Sequence, residues 1–249
     1  MQLTIQLHST SPISLPIQYN HILQGIIYDS INQELATFLH DQGFQVGKRT
    51  FKLFTYSKLY GEYTLQREEG RIVFKSPIQW ILSSPVKEFC HSIANGLLFK
   101  EQVRFGTNGL EVQDVQVQQP IVEAESIEVT TLSPVVAYST LTRFDGRPYT
   151  CFYQPGDPDF NGIIAENLRK KYLAMHGEGA EIPAGEMNVT SVSPVKQSIL
   201  NYKNTVIKGY SGKLRLAGPR ELLQVAVDAG LGSKNSMGFG CVRLVQRRM

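Results

Sequence analysis

The chain predicts an α+β fold of two tandem ferredoxin-like (RRM-like, β-α-β-β-α-β) domains, spanning residues 1–118 and 119–249. Three observations predict it. The first half alternates period-two and period-3.6 apolar segments in the order β-α-β-β-α-β, and the second half repeats that order with an extra hairpin. A length of 249 residues suits two small domains. A composition of 42% hydrophobic and 19% charged residues can fill two cores and excludes a disordered chain.

Leu3, Ile5 and Leu7 alternate with polar neighbours, as in a half-buried strand. Asn20 is placed to cap a helix whose apolar stripe runs through Ile22, Leu23, Ile26, Ile27, Ile31, Leu35, Phe38 and Leu39 and ends near Asp41 and Gly43. Strands follow at 51–58, 62–67 and 71–76, the last two joined by a Glu69-Gly70 turn. A helix over 85–99 and a strand over 110–117 complete the first unit.

In the second unit, strands at 127–132 and 135–141 are separated by Pro134. Phe144-Asp145-Gly146-Arg147 reads as a hairpin tip, with 149–153 as the return strand. Asp157 is placed to cap a helix, with Pro158 in its first turn and Gly177 at its end. Arg169, Lys170 and Lys171 read as a solvated run in its last turns. Strands at 187–192 and 206–216, a helix from Pro219 through Ala229 and a strand at 241–245 close the chain.

A net charge of +3 is compatible with nucleic acid, but a binding face must come from local clustering. Cys90, Cys151 and Cys241 form no CxxC pair, so a zinc site and a disulfide framework are not expected, and they read as small buried residues. The N-terminus lacks the pattern of a secretory signal, and no run of 18 apolar residues occurs. The reading is a cytoplasmic protein, away from membranes.

The most unusual segment is Gly230-Leu231-Gly232-Ser233-Lys234-Asn235-Ser236-Met237-Gly238-Phe239-Gly240. Glycines admit positive φ and close backbone approach. Hydroxyls at Ser233 and Ser236, the amide of Asn235 and the cation of Lys234 suit a phosphate-binding loop. The segment is not a Walker loop, because GxxxxGK[ST] is absent. It is not a dinucleotide fingerprint either, because it follows a helix. A tight helix-to-strand connection without a ligand is the alternative.

The pattern G-h-G, five residues with a cation, then G-h-G, near the end of a two-domain chain resembles the hallmark loop of the RAMP superfamily. Within it, the chain is similar to the CRISPR-associated endoribonucleases that process repeat RNA. Pro16-Ile17-Gln18-Tyr19-Asn20-His21, Leu23-Gln24-Gly25-Ile26-Ile27-Tyr28, Leu39-His40 and Lys52-Leu53-Phe54-Thr55-Tyr56-Ser57 carry that resemblance in the first half. Asn95-Gly96-Leu97-Leu98 and Thr131-Leu132-Ser133-Pro134 extend it.

The resemblance implies RNA cleavage by the substrate's own 2′-hydroxyl, leaving a 2′,3′-cyclic phosphate and a 5′-hydroxyl, with no metal and no cofactor. Such a reaction needs a base, a proton donor and positive charge. The family's tyrosine, histidine and lysine map onto Tyr28, His40 and Lys52. His40 is open as general base or general acid, Tyr28 as orienting group or proton donor, and Lys52 as the phosphate's cation; Lys48 and Arg49 are alternative cations. Tyr28 and His40 lie 12 residues apart, about 18 Å of rise, and on a straight helix cannot touch.

The resemblance also implies repeat RNA as partner. It leaves open CRISPR effector-complex subunits and a second copy of the chain. The expected RNA-binding residues are Gly230, Gly232, Ser233, Lys234, Asn235, Ser236, Gly238 and Gly240 of the loop, with Arg143 and Arg147 of the hairpin. Lys75, Arg104, Lys196, Lys203, Lys208, Lys213, Arg215 and Arg220 are further candidates for a basic groove, with Phe144, Tyr149 and Tyr202 to stack on bases. The competing readings are a catalytically inactive RAMP-type RNA-binding subunit and a generic RRM-like RNA-binding protein. The second lacks its K/R-G-F/Y signature here.

Overall fold

The computed structural model describes residues 1–202 and 205–245. The first half contains β1 (Gln2–His8), β2 (Ile13–Pro16), α1 (Asn20–Ser30) and α2 (Gln33–Thr37), followed by a π-helical turn over Phe38–Gln42. Then come β3 (Phe44–Val46), β4 (Arg49–Phe51), β5 (Thr55–Tyr56), β6 (Tyr63–Gln66), β7 (Arg71–Phe74) and β8 (Ile78–Ser83). It closes with α3 (Lys87–Leu98), β9 (Val103–Phe105) and β10 (Asn108–Gln118).

The second half contains β11 (Ser126–Thr131), β12 (Ala137–Thr142), β13 (Pro148–Tyr153), α4 (Phe160–His176) and β14 (Asn188–Ser191). After these come β15 (Lys196–Tyr202), β16 (Thr205–Ser211), β17 (Lys213–Ala217), α5 (Arg220–Ala229) and β18 (Val242–Leu244).

The first main sheet has the order β5-β8-β1-β10, with β9 added beside β10, and the second has β14-β17-β11-β18. In each, the first strand lies between the last and the third, which is the ferredoxin-like arrangement. Alternation on β1 buries Leu3, Ile5 and Leu7, and Ile5 faces Trp80 on β8 and Val115 on β10. Trp80, Phe54, Phe89 and Phe105 fill the first core. Phe160, Ile164, Leu168, Leu222, Leu223 and Val227 fill the second. Ile81, on the other side of β8, packs with Leu132 and Cys241 and joins the two sheets.

Several expected elements differ. The hairpin 62–76 is present as β6 and β7, but it pairs with β2 in a separate three-stranded sheet rather than in the main one. The inner strand is β8, which the expectation lacks. Its apolar run Trp80-Ile81-Leu82 is buried on both faces, so it shows no alternation. The strand expected over 51–58 breaks at Leu53, whose φ is 52°. That kink sends Leu53 into the second core and Phe54 into the first. The second half carries two inserted hairpins, β12–β13 and β15–β16, where one was expected, and the strand expected over 206–216 is broken between β16 and β17.

Two expected caps also differ. Tyr19 occupies the cap position of α1, and the Asn20 amide instead donates to the Met237 carbonyl at 2.9 Å. Asp159, not Asp157, occupies the cap position of α4; the Asp157 carboxylate accepts from the Gln154 N–H. Cys90 and Cys241 are buried, and Cys151 is half-buried.

Candidate active site

The helix expected to run straight through Leu39 stops at Ser30. Ile31 and Asn32 are extended, with ψ of 161° and 152°. Asn32 then caps α2 by accepting from the Leu35 N–H at 2.8 Å, while its own N–H donates to Ser92 Oγ at 2.7 Å. Gly96 of α3 lies directly beneath this break: a Cβ there would fall 1.7 Å from the Ser30 carbonyl oxygen. The chain turns again in the π-helical turn, closed by the Gly43 N–H on the Phe38 carbonyl at 2.6 Å.

The two bends bring His40 back over α1. The Tyr28 and His40 rings meet edge to face, with centroids 6.4 Å apart and planes at 83°. On a straight helix these side chains could not touch; they meet because the helix ends early, at the break before Asn32. Tyr28 rests in turn on Phe54, which stacks on Phe89. Burial, with Tyr202 nearby, pushes the Tyr28 phenol up to about 12, so it keeps its proton at neutral pH and can donate it in a hydrogen bond.

His40 is open to solvent, with 79% of its side chain exposed, and its Nδ1 lies 2.7 Å from Asp41 Oδ1. A proton on Nδ1 donated to Asp41 leaves Nε2 as an acceptor. Lys52, one residue beyond β4, donates from Nζ to the His40 carbonyl at 3.0 Å. Burial lowers the Lys52 pKa, and the Asp41 charge opposes that shift. Tyr28, His40 and Lys52 thus form one constellation. Its chemical capacity is a base or acid at imidazole, a neutral phenol donor and a cation.

Lys52 also lines a cleft of about 680 Å³ between the two halves. Arg49 and Lys234 line it too, with Glu166 as its one carboxylate among the described residues, and Glu166 pairs with Lys170; Lys171 borders the cleft with almost no exposed surface. The positive balance suits a polyanion. Ser233, Lys234, Asn235 and Ser236 of the glycine-rich loop form part of its wall. The Lys234 Nζ sits 5.1 Å over the Tyr138 ring, and burial lowers its pKa.

The loop is clamped from both sides. From the first half, Asn20 holds the Met237 carbonyl, Gln24 Nε2 donates to the Ser236 carbonyl at 2.7 Å and Thr55 Oγ1 donates to the Phe239 carbonyl at 2.8 Å. From the second, the Gly240 N–H bonds the Pro134 carbonyl and the Ser233 N–H bonds the Val136 carbonyl, each at 2.8 Å. Gly230, Gly232, Gly238 and Gly240 all have positive φ, and a Cβ at any of them would strike a neighbour, such as the Val136 carbonyl 2.5 Å from Gly232. Packing alone therefore accounts for these four glycines. The Asn235 amide is engaged within the loop, donating to the Leu231 and Phe239 carbonyls.

The hairpin β12–β13 starts at the cleft wall, with Tyr138, Ser139 and Thr140, and runs outward to Arg143 and Arg147. Arg147 forks onto Asp145, and Arg143 lies over the Tyr149 ring. Phe144 at the tip is fully exposed. Two expectations fail here. Tyr202 is buried, with its hydroxyl on Gln24 Oε1, and is not available for stacking. Lys171 is not part of a solvated run: it is 2% exposed and donates to the Gly230 and Gly232 carbonyls. Period-3.6 patterning places Lys171 seven residues after Ile164, on the buried face, but its charge type hides that signal. Lys203 lies outside the described residues. Among the described residues, no group of three or more His, Cys, Asp or Glu is arranged to hold a metal ion, and no helix is long and apolar enough to cross a membrane.

Two family models together match residues 14–244 of this chain. Residues 14–116 match "CRISPR-associated protein Cas6, N-terminal", and residues 116–244 match "CRISPR associated protein Cas6, C-terminal". The chain belongs to the Cas6 family. A CRISPR-associated endoribonuclease Cas6 of Pyrococcus furiosus is 29% identical over 247 residues, covering 92% of this chain and 83% of that protein. CRISPR-associated endoribonuclease Cas6 1 of Methanocaldococcus jannaschii is 28% identical, covering 97% and 92%. Among solved structures, a "CRISPR associated protein Cas6" superposes with a TM-score of 0.79 at 24% identity, over 99% of both chains. Another, titled "An RAMP protein binding different RNA substrates", superposes with a TM-score of 0.81 at 20% identity, over 99% of this chain and 100% of that one. The tandem ferredoxin-like arrangement of this Cas6 chain is thus a shared fold.

Proposed function

We propose that this Cas6-family chain is an endoribonuclease that cuts CRISPR repeat RNA to generate guide RNAs. The observation that carries the reading is the convergence of Tyr28, His40 and Lys52 beside a cationic cleft. The relatives named as endoribonucleases support the same class of activity.

In the proposed reaction, the 2′-oxygen bonds to the adjacent phosphorus and the bond from phosphorus to the 5′-oxygen breaks. The 2′-hydroxyl proton goes to a base and the 5′-oxygen takes up a proton. His40 Nε2, with Nδ1 oriented by Asp41, serves as base or, once protonated, as acid. The Tyr28 phenol donates a hydrogen bond, and Lys52 offsets the charge of the phosphorane. The products are a 2′,3′-cyclic phosphate and a 5′-hydroxyl, and the step needs no metal. Ser233, Lys234 and Ser236 of the loop, with Arg143 of the hairpin, hold the RNA backbone.

The test is incubation of the purified protein with a CRISPR repeat RNA in EDTA. One cut is expected, abolished by a single 2′-deoxy substitution at the cleaved nucleotide. Intact RNA in EDTA, with cutting restored by a divalent cation, would overturn the metal-free route. Binding without a cut under both conditions would favour an inactive RNA-holding subunit.

A further inference from the structure

Lys171 is the one lysine that the fold takes fully out of water among the described residues. No carboxylate among the described residues pairs with it. Its ammonium donates to the Gly230 carbonyl at 2.6 Å and the Gly232 carbonyl at 2.9 Å. Burying a charge without a counter-ion costs several kcal/mol, so this placement calls for a local reason.

The reason lies in the two peptide planes that it holds. The Gly230–Leu231 peptide gives its carbonyl to Lys171 and its N–H to the Gly240 carbonyl at 2.8 Å. The Gly232–Ser233 peptide gives its carbonyl to Lys171 and its N–H to the Val136 carbonyl at 2.8 Å. Both glycines sit at positive φ, 85° and 73°, where a peptide without such ties is free to reorient. Lys171 therefore fixes the start of the loop. The other end of the loop holds α1, through Gln24 on the Ser236 carbonyl and Asn20 on the Met237 carbonyl. Tyr28 lies four residues after Gln24, on the same helix face.

We infer that Lys171 is a positioning residue for RNA cleavage: through the glycine-rich loop it fixes α1, and with it Tyr28, against His40. The inference rests on the proposed nuclease reading. It assigns the loop a second role, as a tie between the two halves, beyond contact with RNA.

The experiment compares wild type, Lys171→Met, Lys171→Gln, Gln24→Leu and the Lys171→Met/Gln24→Leu double variant. Single-turnover cleavage and RNA affinity are measured for each. The His40 imidazole C–H resonances are followed by NMR, because the Tyr28 ring current makes them report ring geometry. Lys171→Met is expected to slow the cleavage step by about 10²-fold, as a displacement of around 1 Å does, with a smaller loss of RNA affinity, because the loop that Lys171 holds also carries Ser233, Lys234 and Ser236. Lys171→Gln, which keeps N–H donors, recovers part of the rate. Gln24→Leu, which leaves Lys171 intact, shifts the same resonances, and the double variant is no slower than the slower single one.

Multiplying losses in the double variant, or His40 resonances that stay in place, would overturn the inference. A loss confined to RNA affinity would do the same and would make Lys171 a support for RNA contact alone. If Lys171→Met fails to fold, Gln24→Leu and Lys171→Gln still decide it. If wild type does not cut repeat RNA, the nuclease reading fails, and the NMR arm still tests the tie.

Discussion

The Tyr28 and His40 rings meet edge to face with centroids 6.4 Å apart, although the two residues lie 12 positions apart in the chain. The contact exists because the chain reverses twice between them, at Asn32 and at the π-helical turn. Replacing Asn32 by Ala removes the cap on the Leu35 N–H. A stability loss of about 1 kcal/mol is expected in denaturant unfolding, with a slower cleavage step as α2 frays. Unchanged cleavage in a variant with the expected stability loss would detach the break from catalysis.

His40→Ala should slow repeat cleavage by roughly 10²–10⁴-fold while RNA affinity stays nearly constant. The side chain is exposed and supports little packing, so folding should be unaffected. A rate within twofold of wild type, by single-turnover assay, would remove His40 from the chemistry.

Lys234→Ala should weaken RNA binding and lower the slope of log affinity against log salt by about 0.7, one phosphate contact on a single strand. Affinity titrations across a range of salt concentrations check this. An unaltered slope would leave Lys234 to its Tyr138 contact alone.

A buried lysine and two buried tyrosines set opposite pH trends in stability. Lys171 is lowered by burial from 10.5 to about 7, so the folded state binds fewer protons than the unfolded one in that window. Its contribution therefore grows as pH rises from 7 to 10.5. Tyr19 and Tyr28 are raised by burial from 10.0 to about 12, so the folded state holds more protons there, and stability is lost as pH rises from 10 to 12. Denaturant unfolding should show the wild-type stability gaining on that of Lys171→Met between pH 7 and 10.5. A constant difference would contradict the burial of a free ammonium.

Glycine substitutions separate crowding from φ. At Gly240 (φ 71°) a Cβ would fall 2.0 Å from the Leu231 carbonyl oxygen, and Gly240→Ala should cost more than about 3 kcal/mol. At Gly146 (φ 79°) nothing lies within 4 Å, and Gly146→Ala should cost about 1–2 kcal/mol from φ alone. Thermal unfolding of the two variants, scanned side by side, gives the comparison.

The local signals in the sequence were enough for the α+β class, the positions of the main helices and the glycine-rich loop, because periodicity, turn chemistry and motif are written in neighbouring residues. The resemblance carried Tyr28, His40 and Lys52, which periodicity alone read as packing and surface. What neighbouring residues do not encode is what lies against them. Trp80-Ile81-Leu82 shows no alternation because a second unit covers its other face, so β8 carries no period-two signature. Lys171 carries no local sign of its burial, because burial of a charge depends on the carbonyls that meet it, and those belong to a loop some sixty residues away. The meeting of Tyr28 with His40 was likewise a tertiary decision: Gly96 of α3 presses on the Ser30 carbonyl where α1 ends, and the helix that the apolar stripe would have continued turns back instead.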